Sequence, residues 1–129
     1  MKQIIFMASV LLFFTSFVSC KKKIDDTLAS TSRAIRYKVI GNFTGTMFAS
    51  YTNAVGSTAN EPVSSLPWNK EITYNKTVTA AIVAFSGNGG VAGQQITIVV
   101  EKGDRQVSST TAIAGASGSF TQSSPVITF

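Results

Sequence analysis

Cys20 is the first candidate for chemistry, because it is the only cysteine in the chain and it ends an apolar run. The basic Lys2, the apolar stretch from Ile4 to Val18 and the small Ser19 form the pattern of a lipoprotein signal peptide. The stretch is too short to span a bilayer comfortably as a permanent helix. We expect residues 1–19 to be removed and Cys20 to carry a diacylglycerol and an N-acyl chain such as palmitate. The alternative is an uncleaved anchor helix in which the cysteine is incidental.

Little else in the sequence offers reactive groups. A single cysteine cannot form a disulfide within the chain, and the absence of histidine excludes His-based metal triads and Ser-His-Asp catalysis. Glu101 and Asp104 flank one turn and could be neighbours. Such a pair is a weak calcium site, a glycosidase-like pair or, more commonly, a solvated hairpin tip. We therefore expect no catalytic residues, no metal site, no cofactor and no enzymatic activity.

The segment Gly87-Asn88-Gly89-Gly90-Val91-Ala92 formally matches the dinucleotide-binding fingerprint and follows a predicted strand. That mechanism requires a helix to begin at the end of the motif, so that its N-terminus meets the pyrophosphate. The residues from Gln94 to Val100 favour a β-strand instead. We predict a flexible loop between strands and no nucleotide binding.

Three aromatic side chains are candidate contacts with a partner: Tyr37, Tyr51 and Trp68. Trp68 is the only tryptophan. It is either a binding platform for sugar or lipid, or a core residue that packs beside Leu66, which is the usual role of one large aromatic in a small sandwich.

The charge composition is mildly basic. The formal net charge is +5 over 129 residues, and three of the lysines stand together at 21–23. The remaining acids and bases are too sparse to create a steering field, and the balance falls short of that of a nucleic-acid-binding domain. We expect no nucleic-acid partner.

From Arg33 onwards, apolar residues recur at period two, as in Ile35, Tyr37 and Val39, which is typical of half-buried strands. No segment beyond the signal shows a sustained helical stripe. About seven short strands at regular spacing predict an all-β fold, an immunoglobulin-like antiparallel β-sandwich. The predicted strands are 33–40, 44–51, 70–74, 77–85, 95–101, 107–114 and 126–129.

Several details of these strands can be predicted. Thr58–Ser65 contains Pro62 and reads as a loop or a weak edge. Residues 77–85 are apolar on both sides, as expected of a central strand, with 78, 80, 82 and 84 on one face. Ile96, Ile98 and Val100 should face inward. Gly103-Asp104 should supply the positive φ angles of a two-residue hairpin loop.

Three segments follow from these observations: a signal peptide at 1–19, a lipidated and flexible tether at 20–32, and a β-sandwich domain at 33–129. The tether is rich in charged and small polar residues, and its length places the domain about 20 Å from the lipid. Asp26-Thr27-Leu28 resembles an O-glycosylation acceptor with Thr27 as the modified residue, and the lysines followed by acids resemble a signal for the outer face. A plain linker is the favoured alternative to both.

Two resemblances bear on function. The junction at Ser19-Cys20-Lys21-Lys22 resembles the lipobox of Bacteroidetes-type lipoproteins. The segments 36–41, 49–53, 65–70, 80–84 and 96–103, with Leu66-Pro67-Trp68 as the most specific part, resemble the MmpS family of transport accessory proteins over about residues 35–114. That family usually has an uncleaved anchor helix and a cysteine pair in the last strands, where this chain has a lipobox and Thr97.

The second resemblance implies a membrane-anchored β-sandwich that works beside a large export pump and is not an enzyme. We therefore expect a bacterial envelope lipoprotein of the outer membrane, on its periplasmic or surface face, whose domain is an accessory or binding module for an envelope protein or transporter. The alternative is a cell-surface structural or adhesive module that binds glycan or lipid.

Overall fold

The structure, a computed structural model, describes residues 31–129. Ten β-strands make up the secondary structure of this part of the chain. They are β1 (Ala34–Gly41), β2 (Thr46–Thr52), β3 (Thr58–Val63), β4 (Trp68–Thr73), β5 (Ala80–Ala81), β6 (Val83–Asn88), β7 (Gln95–Lys102), β8 (Arg105–Ile113), β9 (Phe120–Ser123) and β10 (Ile127–Thr128).

The strands form two four-stranded antiparallel sheets that pack as a sandwich. Sheet A has the order β4-β1-β7-β8, and sheet B has the order β3-β2-β6-β9. A short pair of β5 and β10 closes one end. The predicted all-β sandwich is confirmed, with ten strands rather than about seven.

Alternation of apolar residues places the core between the sheets. Ile35, Tyr37 and Val39 of β1 are fully buried, and so are Ile96 and Ile98 of β7. Residues between them point to the outer face of sheet A, as period-two geometry requires. The inward faces predicted for these two strands are confirmed.

The hairpin between β7 and β8 also forms as predicted. Gly103 has a φ of 55° and Asp104 a φ of 64°, so both loop residues adopt the left-handed conformation of a two-residue type I′ turn. The β7–β8 register shifts by one residue between Val100 and Glu101, which is a β-bulge.

The extra strands arise where pairing divides a run that the sequence presents as continuous. The apolar run 77–85 is split at Ile82, because Ala80–Ala81 pairs with β10 and Val83 onwards pairs with β2. Of the two apolar faces of this run, the one with Ala81, Val83 and Phe85 is buried, whereas Ile82 is 37% exposed. β6 is nevertheless a central strand of sheet B, as expected.

Two polar segments became strands at the margins of sheet B. Thr58–Val63, predicted as a loop or a weak edge, is the edge strand β3 and pairs with β2. Phe120–Ser123, which is not among the predicted strands, forms the short edge strand β9 beside β6. Both pairings join the edge strand to a neighbour that already packs on the core, so the partner strand compensates for weak local propensity.

Candidate functional site

The predicted site residues fall in different environments. Cys20 and Thr27 lie outside the described residues. Tyr37 is 0% exposed and Tyr51 is 7% exposed. Both face the core from the period-two positions of β1 and β2, so neither ring offers a surface to a partner. This corrects their assignment as candidate contacts.

The Tyr37 hydroxyl is used inside the sandwich. It lies 2.9 Å from the hydroxyl of Tyr74, which donates its own proton to the carbonyl oxygen of Thr52 at 2.7 Å. Since each phenol has one proton, Tyr37 must donate to Tyr74. Burial, with the contact to Tyr74, raises the pKa of Tyr37 far above its usual value. The group therefore remains a neutral structural donor.

Tyr51 belongs to a charged cluster at the side of the sandwich. Glu61 of β3 and Lys70 of β4 point inward from the edges of different sheets, and Lys70 Nζ donates to Glu61 Oε2 at 2.9 Å. The Tyr51 hydroxyl donates to the same oxygen at 3.1 Å, and Lys70 Nζ lies 5.3 Å from the centre of the Tyr51 ring. The hydrogen bond to Glu61 raises the pKa of Lys70. The cluster bridges the two sheets and is satisfied within the fold.

Trp68 lies at the start of β4 and is half-buried. Its ring packs edge-on against Phe85, with ring centroids 5.4 Å apart, and both Leu66 and Trp68 contact the core. The packing interpretation therefore accounts for most of this side chain.

A network of charged side chains lies at the end of the outer face of sheet A nearest the β7–β8 hairpin. Arg36 lies at its centre, with its guanidinium 2.7 Å from Glu71 Oε2, 3.2 Å from Glu101 Oε2 and 3.9 Å from Asp104 Oδ1. Lys38 Nζ adds a contact of 2.6 Å to Glu101 Oε1. Arg36, Glu71, Glu101 and Asp104 line a depression of about 330 Å³. The network cross-links three neighbouring strands of sheet A.

This network is poorly suited to acid–base catalysis. Hydrogen bonding to Lys38, helped by the charges of Lys38 and Arg36, lowers the pKa of Glu101. A general acid needs a carboxyl group with a raised pKa. Glu101 and Asp104 do come together, as the sequence suggested, but around a guanidinium. A cation would have to displace Arg36 to bind both carboxylates.

A second basic cluster closes the end of the domain at which β1 begins. The Arg33 guanidinium lies 4.4 Å from the centre of the Phe129 ring and donates to the carbonyl oxygens of Tyr74, Asn75 and Val78. Lys102 is 8% exposed, and its Nζ donates to the carbonyl oxygen of Thr128 at 2.9 Å. Burial, followed by the charge of Arg33, lowers the pKa of Lys102. These contacts fix the first residues of the domain to the closing strand.

The glycine-rich loop is packed against the body of the sandwich. The N–H of Gly90 donates to the carbonyl oxygen of Gly118 at 2.9 Å, and a Cβ at Gly90 would lie 2.3 Å from the ring of Phe43. The strand β7 follows the loop, so the helix that a dinucleotide site requires is not formed. The loop connects β6 of sheet B to β7 of sheet A.

The outer face of sheet B is the surface that the sequence analysis missed. Phe48 stands near its middle, 49% exposed, between Pro62 on β3 and Ser86 on β6. The other outward positions of these strands are uncharged. They are Thr46, Ser50, Thr52, Thr58, Asn60, Ala84, Asn88, Thr121 and Ser123. We call this surface the neutral face. Met47, Ala49 and Tyr51 are buried, so the period-two geometry of β2 turns Phe48 outward. The apolar residues at 47, 49 and 51 were the signal in the sequence from which the exposure of Phe48 could have been predicted.

Residues 31–129 contain no arrangement typical of a metal site or a membrane span. No group of three or more His, Cys, Asp or Glu side chains in this range is arranged to hold a metal ion. None of the buried side-chain nitrogen or oxygen atoms described lacks a hydrogen-bond partner. Within the same range, no helix has the length and apolar character needed to cross a membrane.

Comparisons with known proteins add no assignment. No family model matches the sequence, and no similar sequence was found among curated proteins.

Proposed function

We propose that this chain is a bacterial envelope lipoprotein, anchored through Cys20, whose β-sandwich is a non-enzymatic accessory module that binds an envelope protein through the neutral face. The observation that carries the proposal is Phe48. It is an aromatic side chain held half exposed in the middle of an uncharged sheet surface, while the other rings described here pack in or against the core.

The chemistry of this face suits association with a protein. A protein interface is typically apolar or aromatic at its centre, depleted in charge there, and surrounded by polar groups. Phe48 and Pro62 supply the apolar centre, and serine, threonine and asparagine side chains supply the surround. The charges of the domain lie elsewhere, on sheet A and at the side of the sandwich.

The attachment geometry leaves this face accessible. The domain begins at Arg33, at the end of the strands, where hydrogen bonds hold it against residues 74–78. A tether of residues 20–32 would therefore join one end of the sandwich, and the outer faces of both sheets would stand beside the tether. The resemblance around Leu66-Pro67-Trp68 supports a transport system as the place where such a partner works.

Site-specific photocrosslinking in intact cells tests the proposal. A photoreactive residue replaces Phe48 in the full chain, and the matched control replaces Val99, which lies on the outer face of sheet A. We expect one discrete adduct with an envelope protein from position 48 and none from position 99. Adducts of equal yield at both positions, or none at position 48, would contradict the proposal.

A second function, binding of glycan or lipid by a surface module, is favoured by the many hydroxyl groups around Phe48. The same experiment distinguishes the two. An adduct at position 48 that carries lipid or glycan, and no protein, would replace the first proposal with the second.

A further inference from the structure

The edges of the two sheets are protected unequally. A free edge presents unpaired backbone N–H and C=O groups, and proteins usually guard it with inward charges, proline or a short strand. Edge β3 contains Pro62 and the inward Glu61, edge β4 contains the inward Lys70, and edge β9 is four residues long. Edge β8 is nine residues long and has neither a proline nor a charged side chain after Arg105; its one protective feature is the β-bulge opposite Val100 and Glu101, near its start.

The free backbone groups of β8 can be located. Ala114 directs its N–H to the carbonyl oxygen of Gln94 at 2.7 Å and accepts from the N–H of Gly93 at 2.9 Å, so both its groups face the β7 side. Backbone groups alternate in direction along an antiparallel strand. Ser109, Thr111 and Ile113 therefore direct their N–H and C=O groups away from β7, where none of the described strands pairs with them.

We propose that β8 pairs with β8 of a second copy of this chain, antiparallel about a two-fold axis at Thr110, and so joins two copies of sheet A into one continuous sheet. No charged residue occurs from Val107 to Phe129, so no like charges meet across that axis. A two-fold interface must be complementary to itself, and this strand meets that condition.

The register of the β8–β8 pair follows from the alternating direction of the backbone groups and from the types of side chain that face one another. The two-fold axis must pass through a residue and not between two residues. Only then do the backbone N–H and C=O groups that point away from β7 lie opposite one another in the two copies. A centre at Thr110 sets Ser109 against the partner copy's Thr111, so hydroxyl meets hydroxyl. Val107 is the extra residue of the β-bulge, so the pairing is counted only from Ser108 to Ala112. A centre at Thr111 would set Ser109 against Ile113 instead.

The pairing constrains the orientation of an anchored dimer, a consequence that rests on the proposed lipid anchor. The N–H of Gly103 donates to the carbonyl oxygen of Ala34 at 3.1 Å, so the domain begins beside the start of β8. The two-fold axis places the second copy's start at the other end, about 30 Å away. With the axis along the bilayer normal, both starts lie at the same height and both tethers reach one bilayer.

A proline substitution tests the edge. The full chain is purified from membranes in detergent, and its protein mass is followed by sedimentation over a concentration series. We expect the wild-type chain and Ser109→Ala to reach twice the mass of one chain. Ser109→Pro should remain at one chain mass, because it removes an N–H that points away from β7 and leaves the β7 ladder intact. Pro62 already occupies an edge strand in this fold. Circular dichroism confirms that both variants fold. A wild-type chain at one mass throughout, or a Ser109→Pro variant that still dimerises, would overturn the proposal.

Disulfide trapping in intact cells tests the register independently. At the proposed centre the two Thr110 residues form a non-hydrogen-bonded pair with Cα atoms about 4.5 Å apart, a separation that a disulfide accepts. Thr110→Cys should give a covalent dimer on a non-reducing gel, and the wild-type chain and Asn60→Cys, on edge β3, should not. Adding Ser109→Pro should abolish the band. Equal bands from Thr110→Cys and Asn60→Cys, or no band from Thr110→Cys, would exclude this pairing.

Discussion

The hydroxyl oxygens of Tyr37 and Tyr74 lie 2.9 Å apart between the two sheets, and Tyr74 donates in turn to the carbonyl oxygen of Thr52. Tyr37 belongs to β1 of sheet A and Thr52 to β2 of sheet B. The pair therefore links the sheets by directional bonds inside an otherwise apolar core, where an unpaired hydroxyl would be costly.

Removal of the Tyr37 hydroxyl should destabilise the domain modestly. Tyr37→Phe deletes one donor and leaves the Tyr74 bond to Thr52 intact, so we expect a loss of about 1 kcal/mol in the free energy of unfolding. Tyr74→Phe should cost more, about 2 kcal/mol, because it leaves both the Thr52 carbonyl and the Tyr37 hydroxyl without their partner. Urea unfolding measures both values, and the reverse order would contradict the assigned direction of the bonds.

Tyr37 should make the stability of the domain sensitive to alkali. Its pKa is raised in the folded state, so the folded protein resists deprotonation that the unfolded chain undergoes near pH 10. The stabilisation from this group is fully present below about pH 10 and is lost as the pH rises towards the folded-state pKa. The free energy of unfolding, measured with a denaturant at a series of pH values, should fall from about pH 10 towards stronger alkali.

In Tyr37→Phe the decline above about pH 10 should be shallower, since one group with a raised pKa is gone. An unchanged slope would show that other groups, Tyr74 among them, account for the loss.

Gly118 and Gly89 form a matched pair for the packing of the glycine-rich loop. Both have positive φ angles, 70° and 73°. A Cβ at Gly118 would lie 2.1 Å from the carbonyl oxygen of Gly90, whereas a Cβ at Gly89 meets nothing within 4 Å. Gly89→Ala should cost about 1 kcal/mol from backbone strain. Gly118→Ala should cost roughly 2 kcal/mol more, because backbone must move. Equal losses in thermal unfolding would argue against the close approach of the two loops.

Cys20→Ser should block processing. A hydroxyl cannot accept the diacylglycerol thioether, so the full-length precursor should accumulate, and metabolic labelling with a fatty acid should be lost. Mass spectrometry of the N-terminus and labelling of membranes measure both effects. Ser19→Ala is the matched control, since it keeps a small residue before the cysteine and should be processed normally. A Cys20→Ser chain that is still trimmed and acylated would refute the anchor.

Much of the fold could be predicted because its signals are local. The period of two in β1 and β7 fixes which residues are buried, and Gly103-Asp104 fixes a hairpin through backbone conformation alone. The strand predictions failed where the bounds of a strand depend on which other strands it pairs with. The run 77–85 presents apolar residues on both faces, so only its pairing with β10 and then β2 shows that Ile82 is the break.

The sequence by itself determined the all-β class, the sparse reactive chemistry and the pattern of a lipoprotein signal around Cys20, since these depend on composition and on neighbours along the chain. Only the tertiary structure decided that Tyr37 and Tyr51 are buried donors, that Glu101 is held by Arg36 and Lys38, and that β8 is a long edge strand without proline or inward charge. Those facts depend on which strands lie side by side, and strand order is set by contacts between residues far apart in sequence.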